Sequence, residues 1–119
     1  MTFVIPDQPI GKGRPRVVNG HAYTPERTRT HEDKIALLAR NAMMLAGAEP
    51  FAGPVSISIW FYLPNHQHEA DLDNYIKLVL DGCNGVIYAD DRQVVVIHAW
   101  KRFDKKNPRT EIEILSVVP

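Results

Sequence analysis

An α+β fold is what the sequence predicts: a single domain over residues 1–119, with a mixed or mainly antiparallel β-sheet packed against two α-helices. Three observations carry that prediction. Apolar residues recur at helical spacing in two segments, around Ile35–Ala46 and Leu72–Cys83. The segment PVSISIWFYLP alternates apolar and polar residues with the period of two that marks a half-buried strand. At 119 residues the chain is long enough for one core and too short to divide into two.

Taken in order, Thr2–Ile5 is expected as a short strand, followed by the Gly- and Pro-rich loop PDQPIGKGRP. In RVVNGHAYT two apolar stretches flank Asn19-Gly20, the strongest short signal for a tight turn, so a β-hairpin is expected over about Arg16–Tyr23. Thr24-Pro25 offers a cap and a first-turn proline, and Ile35, Leu38, Ala39, Ala42, Leu45 and Ala46 share one helical face. A long helix therefore begins between Pro25 and His31 and stops at Gly47. Strand Pro54–Pro64 buries Val55, Ile57, Ile59, Phe61 and Leu63. A polar loop, NHQHEA, leads to a second helix over about Asp73–Cys83, with Leu72, Ile76, Val79, Leu80 and Cys83 apolar and Gly82 and Gly85 breaking it. A short apolar segment, Val86–Tyr88, and a turn at Ala89-Asp90-Asp91 come next. The β-branched run QVVVIHAW then starts a long strand to about Phe103. After a turn at Asp104–Pro108, Thr110–Val118 alternates again as a closing strand.

A composition 45% hydrophobic and 24% charged is that of an ordinary soluble globular protein and excludes disorder and fibrous repeats. Arg40 and Asn41 interrupt the longest apolar candidate, Ile35–Ala48, so no bilayer span is expected. The start MTFVIPDQPIGKGRPR lacks the basic opening and apolar middle of a secretion signal, and a cytoplasmic protein is expected. Cys83, the single cysteine, excludes an internal disulfide and a thiolate zinc cluster, and reads as a buried hydrophobe.

The formal net charge of zero hides a segregation. Between Gly11 and Arg40 the basic residues Lys12, Arg14, Arg16, Arg27, Arg29, Lys34 and Arg40 outnumber Glu26, Glu32 and Asp33. Between His98 and Arg109, Lys101, Arg102, Lys105, Lys106 and Arg109 face Asp104 alone. The centre reverses this, with Glu69, Asp71, Asp73, Asp81, Asp90 and Asp91 against Lys77. Basic arms around an acidic centre suit a protein that grips phosphates and holds a cation between them, although solvated surfaces give the same pattern.

Asp71 and Asp73 are one residue apart at the mouth of a helix, so two hard oxygen ligands face one point. Mg²⁺ suits such a pair, because it keeps several waters and takes only one or two protein carboxylates beside substrate phosphates. The plain alternative is that Asp73 caps the helix and Asp71 is solvated. Lys77 lies one turn beyond Asp73, placed either to hold a phosphate oxygen or to pair with Asp73 or Asp81. Asp90-Asp91 stands before the most hydrophobic strand, where paired acids also make an ordinary turn.

The pattern Asp71-Leu72-Asp73-Asn74, Lys77, Asp81-Gly82 and Asp90-Asp91 with Gln93-Val94 resembles the RusA family of Holliday junction resolvases, found in many phages and prophages. The resemblance is specific from about Ala70 to Val95. It implies an endodeoxyribonuclease dependent on one or two Mg²⁺ ions and acting as a homodimer on four-way junction DNA. Metal ligands would then be Asp71, Asp73 and Asp91, with Lys77 supporting catalysis and Asp90 the weaker acid candidate. Lys12, Arg14, Arg16, Arg27, Arg29, Lys101 and Arg102 would bind the DNA backbone. The loop His66-Gln67-His68-Glu69-Ala70 departs from relatives that are strongly basic there, and its histidines read as solvated rather than zinc-binding. Two other functions stay open on the residues: a nuclease for flaps, forks or RNA, and a non-catalytic nucleic-acid module whose acids only cap and turn.

Overall fold

The alternation in PVSISIWFYLP becomes the strand around which the domain is organised. The computed structural model describes residues 1–13, 16–23 and 25–118, the side chains of Arg16, Val18, Ala22 and Tyr23 excepted. Its elements are β1 (Thr2–Ile5), β2 (Arg16–Val18), β3 (His21–Tyr23), α1 (Glu26–Ala46), β4 (Val55–Leu63), α2 (Leu72–Cys83), β5 (Val94–Phe103) and β6 (Arg109–Ser116). The expected α+β class and element order are both observed. A four-stranded sheet runs β1-β6-β4-β5, with β2 and β3 forming a separate hairpin. Strand β4 pairs antiparallel with β6 and parallel with β5, which makes the sheet mixed.

Each periodicity finds its physical use. On one face of the sheet Val55, Ile57, Ile59, Phe61 and Leu63 of β4 are buried, beside Ile112 and Ile114 of β6 and Phe3 and Ile5 of β1. Ile35, Ala39 and Met43 of α1 and Tyr75, Leu78, Val79 and Cys83 of α2 close the core over that face. Burial pushes the Cys83 thiol up to about 12, so it stays protonated as expected of a buried hydrophobe. On the opposite face Ser56, Ser58, Trp60 and Tyr62 are only half-buried. There Trp60 and Trp100 stack on each other with ring centres 5.0 Å apart.

The turn at Asn19-Gly20 has φ of 52° and 80°, the left-handed pair that a two-residue hairpin requires. Gly47 ends α1 at φ 60°, its N–H reaching the Met43 and Met44 carbonyls. Pro25 precedes the first residue of α1, while the proposed cap Thr24 lies outside the described residues. Two boundaries differ from expectation. Helix α2 starts at Leu72, which puts Asp73 inside its first turn. The acidic turn tightens into a single 3₁₀ turn at Asp91–Gln93, because the Gln93 side chain accepts from the Ala89 and Asp90 N–H groups and donates to the Phe51 and Gly53 carbonyls.

Two features position the functional residues. Strands β4 and β5 are parallel and joined through α2, so the helix runs back against both. Its first turn therefore lies at the C-terminal ends of the strands and its last turn at their N-terminal ends. The second feature is Gly82, where α2 crosses α1: a Cβ there would stand 2.6 Å from Ile35 Cγ2 and 3.3 Å from the Glu32 carbonyl oxygen. Ile35 is itself buried and has no room to swing away. Gly82→Ala is expected to destabilise the domain by about 1–3 kcal/mol despite its better helix propensity, as read from the midpoint of urea unfolding.

Candidate active site

The start of α2 is fixed by its surroundings before any acidic residue is considered. Tyr75, buried in the first turns, tilts against Phe61 and accepts a 3.0 Å hydrogen bond at its Oη from the Ala70 N–H. Lys101 of β5 donates to Glu69 at 2.9 Å, and His66 bonds Glu69 at 3.0 Å while its ring packs on Phe103. Those two partners, Lys101 first, hold the Glu69 carboxyl below its usual range. On the other side, Gly11 lies so close to Ala70 that a Cβ would stand 2.7 Å from it, and the Lys12 N–H donates to the Asn74 carbonyl at 3.2 Å. The basic loop thus runs along α2.

Asp71 is the extended residue immediately before α2, with φ −68° and ψ 148°, and Asp73 sits in the first turn. Neither serves as a cap: the Asp71 side chain makes no capping hydrogen bond. Both are exposed, and among the described residues neither carboxylate has a hydrogen-bond or ion-pair partner. Leu72 between them packs against the core, as the one-residue spacing predicts. Lys77 is exposed one turn further along, and among the described residues its ammonium pairs with neither Asp73 nor Asp81. Asp81 instead takes Lys12, from 69 positions away. That bond raises the Lys12 pKa above its ordinary value. Glu32, half-buried and near Asp81, is also raised, chiefly by partial desolvation.

Asp91 stands at the other end of the helix. It is close enough to Asp81 for repulsion to help raise its pKa, although its hydrogen bond with Asp90 is the larger cause. Asp90 is held low by the Arg92 N–H and caps the 3₁₀ turn, a structural task. Asp81 lies eight helical steps beyond Asp73, about 12 Å along the axis. The chain thus groups Asp71 with Asp73 and Asp91 with Asp81. Among the described residues no three His, Cys, Asp or Glu side chains converge in a group that could hold a metal ion. The Asp71–Asp73 pair still has the donor chemistry of a Mg²⁺ site, since two uncommitted carboxylates are the most that this ion usually takes from a protein.

The expected phosphate-binding residues do not form a single patch. Arg27 and Arg29 are exposed on the first turn of α1, and Arg27 lines a cavity of about 500 Å³ with Gln8, Ile10, Gly11, His68 and Tyr75. This cavity, which the sequence did not signal, adjoins the start of α2. Lys12 and Lys101 are engaged with acids, whereas Arg102 is exposed on the face of the sheet opposite to Lys101. Arg14 and the Arg16 side chain lie outside the described residues. None of the described helices is long and apolar enough to cross a membrane.

Comparison with known proteins supplies the remaining finding. The family profile described as endodeoxyribonuclease RusA matches residues 6–115, nearly the whole chain. An uncharacterized protein of Bacillus subtilis (strain 168), YqaN, is 30% identical over 139 aligned positions, covering 97% of this chain and 95% of that one.

Proposed function

The chain belongs to the RusA endodeoxyribonuclease family, and from that premise we propose that it is a Mg²⁺-dependent, structure-selective nuclease that resolves four-way DNA junctions as a homodimer by paired symmetric nicks. One observation supports this above the rest. The helix start presents Asp71, Asp73 and Lys77 without partners among the described residues, on a surface where Lys12, Lys34, Lys101 and Arg109 all have acidic partners. Leaving two carboxylates and an ammonium unpaired within two turns has no stabilising value, and it suits a ligand that supplies the missing charges.

Phosphodiester hydrolysis adds water at phosphorus and breaks the bond to the 3′ oxygen, which leaves with a proton. Mg²⁺ at Asp71 and Asp73 would supply charge neutralisation and lower the pKa of the attacking water. Lys77, one turn along, holds a positive charge toward a non-bridging phosphate oxygen and is worth most as charge develops there. The exposed Arg27 and Arg29 orient the backbone beside the site without reading bases. Asp91 is the third acid of the family pattern. A homodimer matches the two-fold symmetry of a junction, so that two sites cut matched strands.

Purified protein should cut a labelled four-way junction at paired symmetric positions in Mg²⁺ and stop when EDTA is added. Preferential cleavage of flaps, forks or single strands would replace the junction assignment with another branched substrate. Cleavage that is indifferent to EDTA would remove the metal from the proposal.

A further inference from the structure

The cavity of about 500 Å³ lies between loop 8–13, the start of α1 and the first turns of α2, and its size falls among small-ligand sites of about 300–1,000 Å³. Close backbone approach sets its walls. A Cβ on Gly13 would stand 2.8 Å from Thr28 Oγ1 and 3.1 Å from Pro25 Cγ, and the Gly13 N–H donates to that hydroxyl at 3.0 Å. Gly11 against Ala70 and the Lys12 N–H on the Asn74 carbonyl tie the same loop to α2. The loop is thus fastened to both helices, and the cavity is preformed.

Its lining identifies the occupant. Ile10, the Pro25 ring and Tyr75 supply apolar surface, and Gln8, Arg27 and His68 supply hydrogen-bonding groups. Among the described residues those three polar side chains have no hydrogen-bond or ion-pair partner. Tyr75, 2% exposed, accepts from Ala70 at its Oη and keeps its own proton to donate. His68 is held at φ 56°, a left-handed backbone that disfavours a residue with a Cβ and often marks a binding loop. Among the described residues no carboxylate lines this cavity, whereas the neighbouring one of about 580 Å³ contains Asp7 and Glu26. Apolar plates, a few convergent donors and acceptors and one cation suit a heteroaromatic ring that carries a phosphate. The wall formed by Ala70 and Tyr75 flanks Asp71 and Asp73, so a phosphodiester held at those acids brings a base to the cavity mouth. A base that is paired and stacked cannot enter. One at a strand exchange is extruded at the least cost.

We infer that this cavity receives one unstacked nucleobase of the strand being cut, with Arg27 at its rim on the adjoining phosphate. The assignment rests on the nuclease function proposed above and adds to it a source of selectivity within a single chain. A continuous duplex must break a base pair to fill the cavity, and a branch point need not.

Four-way junctions in which a single tetrahydrofuran abasic position is moved through the nucleotides around the cut, every phosphate kept, test the inference. At one position, loss of the base should weaken binding in EDTA and single-turnover cleavage in Mg²⁺ by about 5- to 150-fold, the worth of one stacked base. Gln8→Ala and His68→Gly should weaken the intact junction and add no further loss on that abasic one, because the group both side chains contact is already gone. His68→Gly also relieves the left-handed backbone, so its urea midpoint should hold or rise. Absence of a sensitive position, or losses from base and side chain that simply multiply, overturns the inference. Sensitivity to methylphosphonate at a phosphate without sensitivity to base removal makes the cavity a backbone contact and overturns it too. Base-dependent coupling in binding by a protein that cleaves no substrate keeps the cavity's role and defeats the nuclease function. Cleavage without coupling keeps the nuclease and defeats the cavity's role, and a protein that binds no junction loses both.

Discussion

Asp73→Asn is expected to lower junction cleavage by at least about a thousandfold, while binding of the junction without metal is unchanged or tighter. The magnitude follows from the several kcal/mol that a bound metal contributes to transition-state charge, at a factor of ten for each 1.4 kcal/mol. The sign of the binding change follows from Coulomb's law: removing one of two adjacent exposed carboxylates weakens their repulsion of phosphate. Because the Asp73 carboxylate has no protein partner among the described residues, the exchange removes no internal contact, and the unfolding midpoint should move little. Single-turnover cleavage, binding by gel shift in EDTA and a urea melt separate the three effects. Unimpaired cleavage by both Asp71→Asn and Asp73→Asn would end the proposed site. Loss of cleavage together with loss of fold would return these acids to a structural role.

Lys77→Met should lower the rate by about 100- to 1000-fold, the usual cost of removing one fixed group that stabilises developing charge. Methionine keeps the helix and most of the stem packing, so stability is expected to hold. The contribution belongs to the transition state, and the loss should therefore fall on kcat with KM nearly unchanged. Lys77→Arg should restore part of the rate. A change confined to KM would make Lys77 a phosphate anchor only. By contrast, Lys12, already bonded to Asp81, should show a modest change in stability on replacement by Ala.

Much of the fold was legible because its causes are local. Alternation over Val55–Leu63 gives one buried face wherever the strand lies in a sheet. Asn19-Gly20 and Gly47 mark their turns because only a few residue types enter the left-handed region without strain. The two helices and their apolar faces follow from spacing alone, to within a few residues at their ends. The candidate site was legible in kind but not in arrangement. Residue type and spacing singled out Asp71, Asp73 and Lys77 as suited to a metal and a phosphate, and only the family resemblance added Asp91. The sequence had no means of showing that Asp81 would be taken by Lys12, leaving Lys77 without an acidic partner among the described residues, because that choice depends on where a distant loop lies.

The chain by itself determined the α+β class and the sequence of elements, and it pointed to Asp71, Asp73 and Lys77 as the proposed site, since each depends on residue identity and short-range periodicity. Tertiary structure alone decided that β5 pairs parallel with β4 and lies at the edge of the sheet. It also decided that Asp91, in the 3₁₀ turn before β5, stands by the end of α2 away from Asp71 and Asp73. Strand order arises from the packing of segments distant in sequence, and local spacing carries no record of that choice.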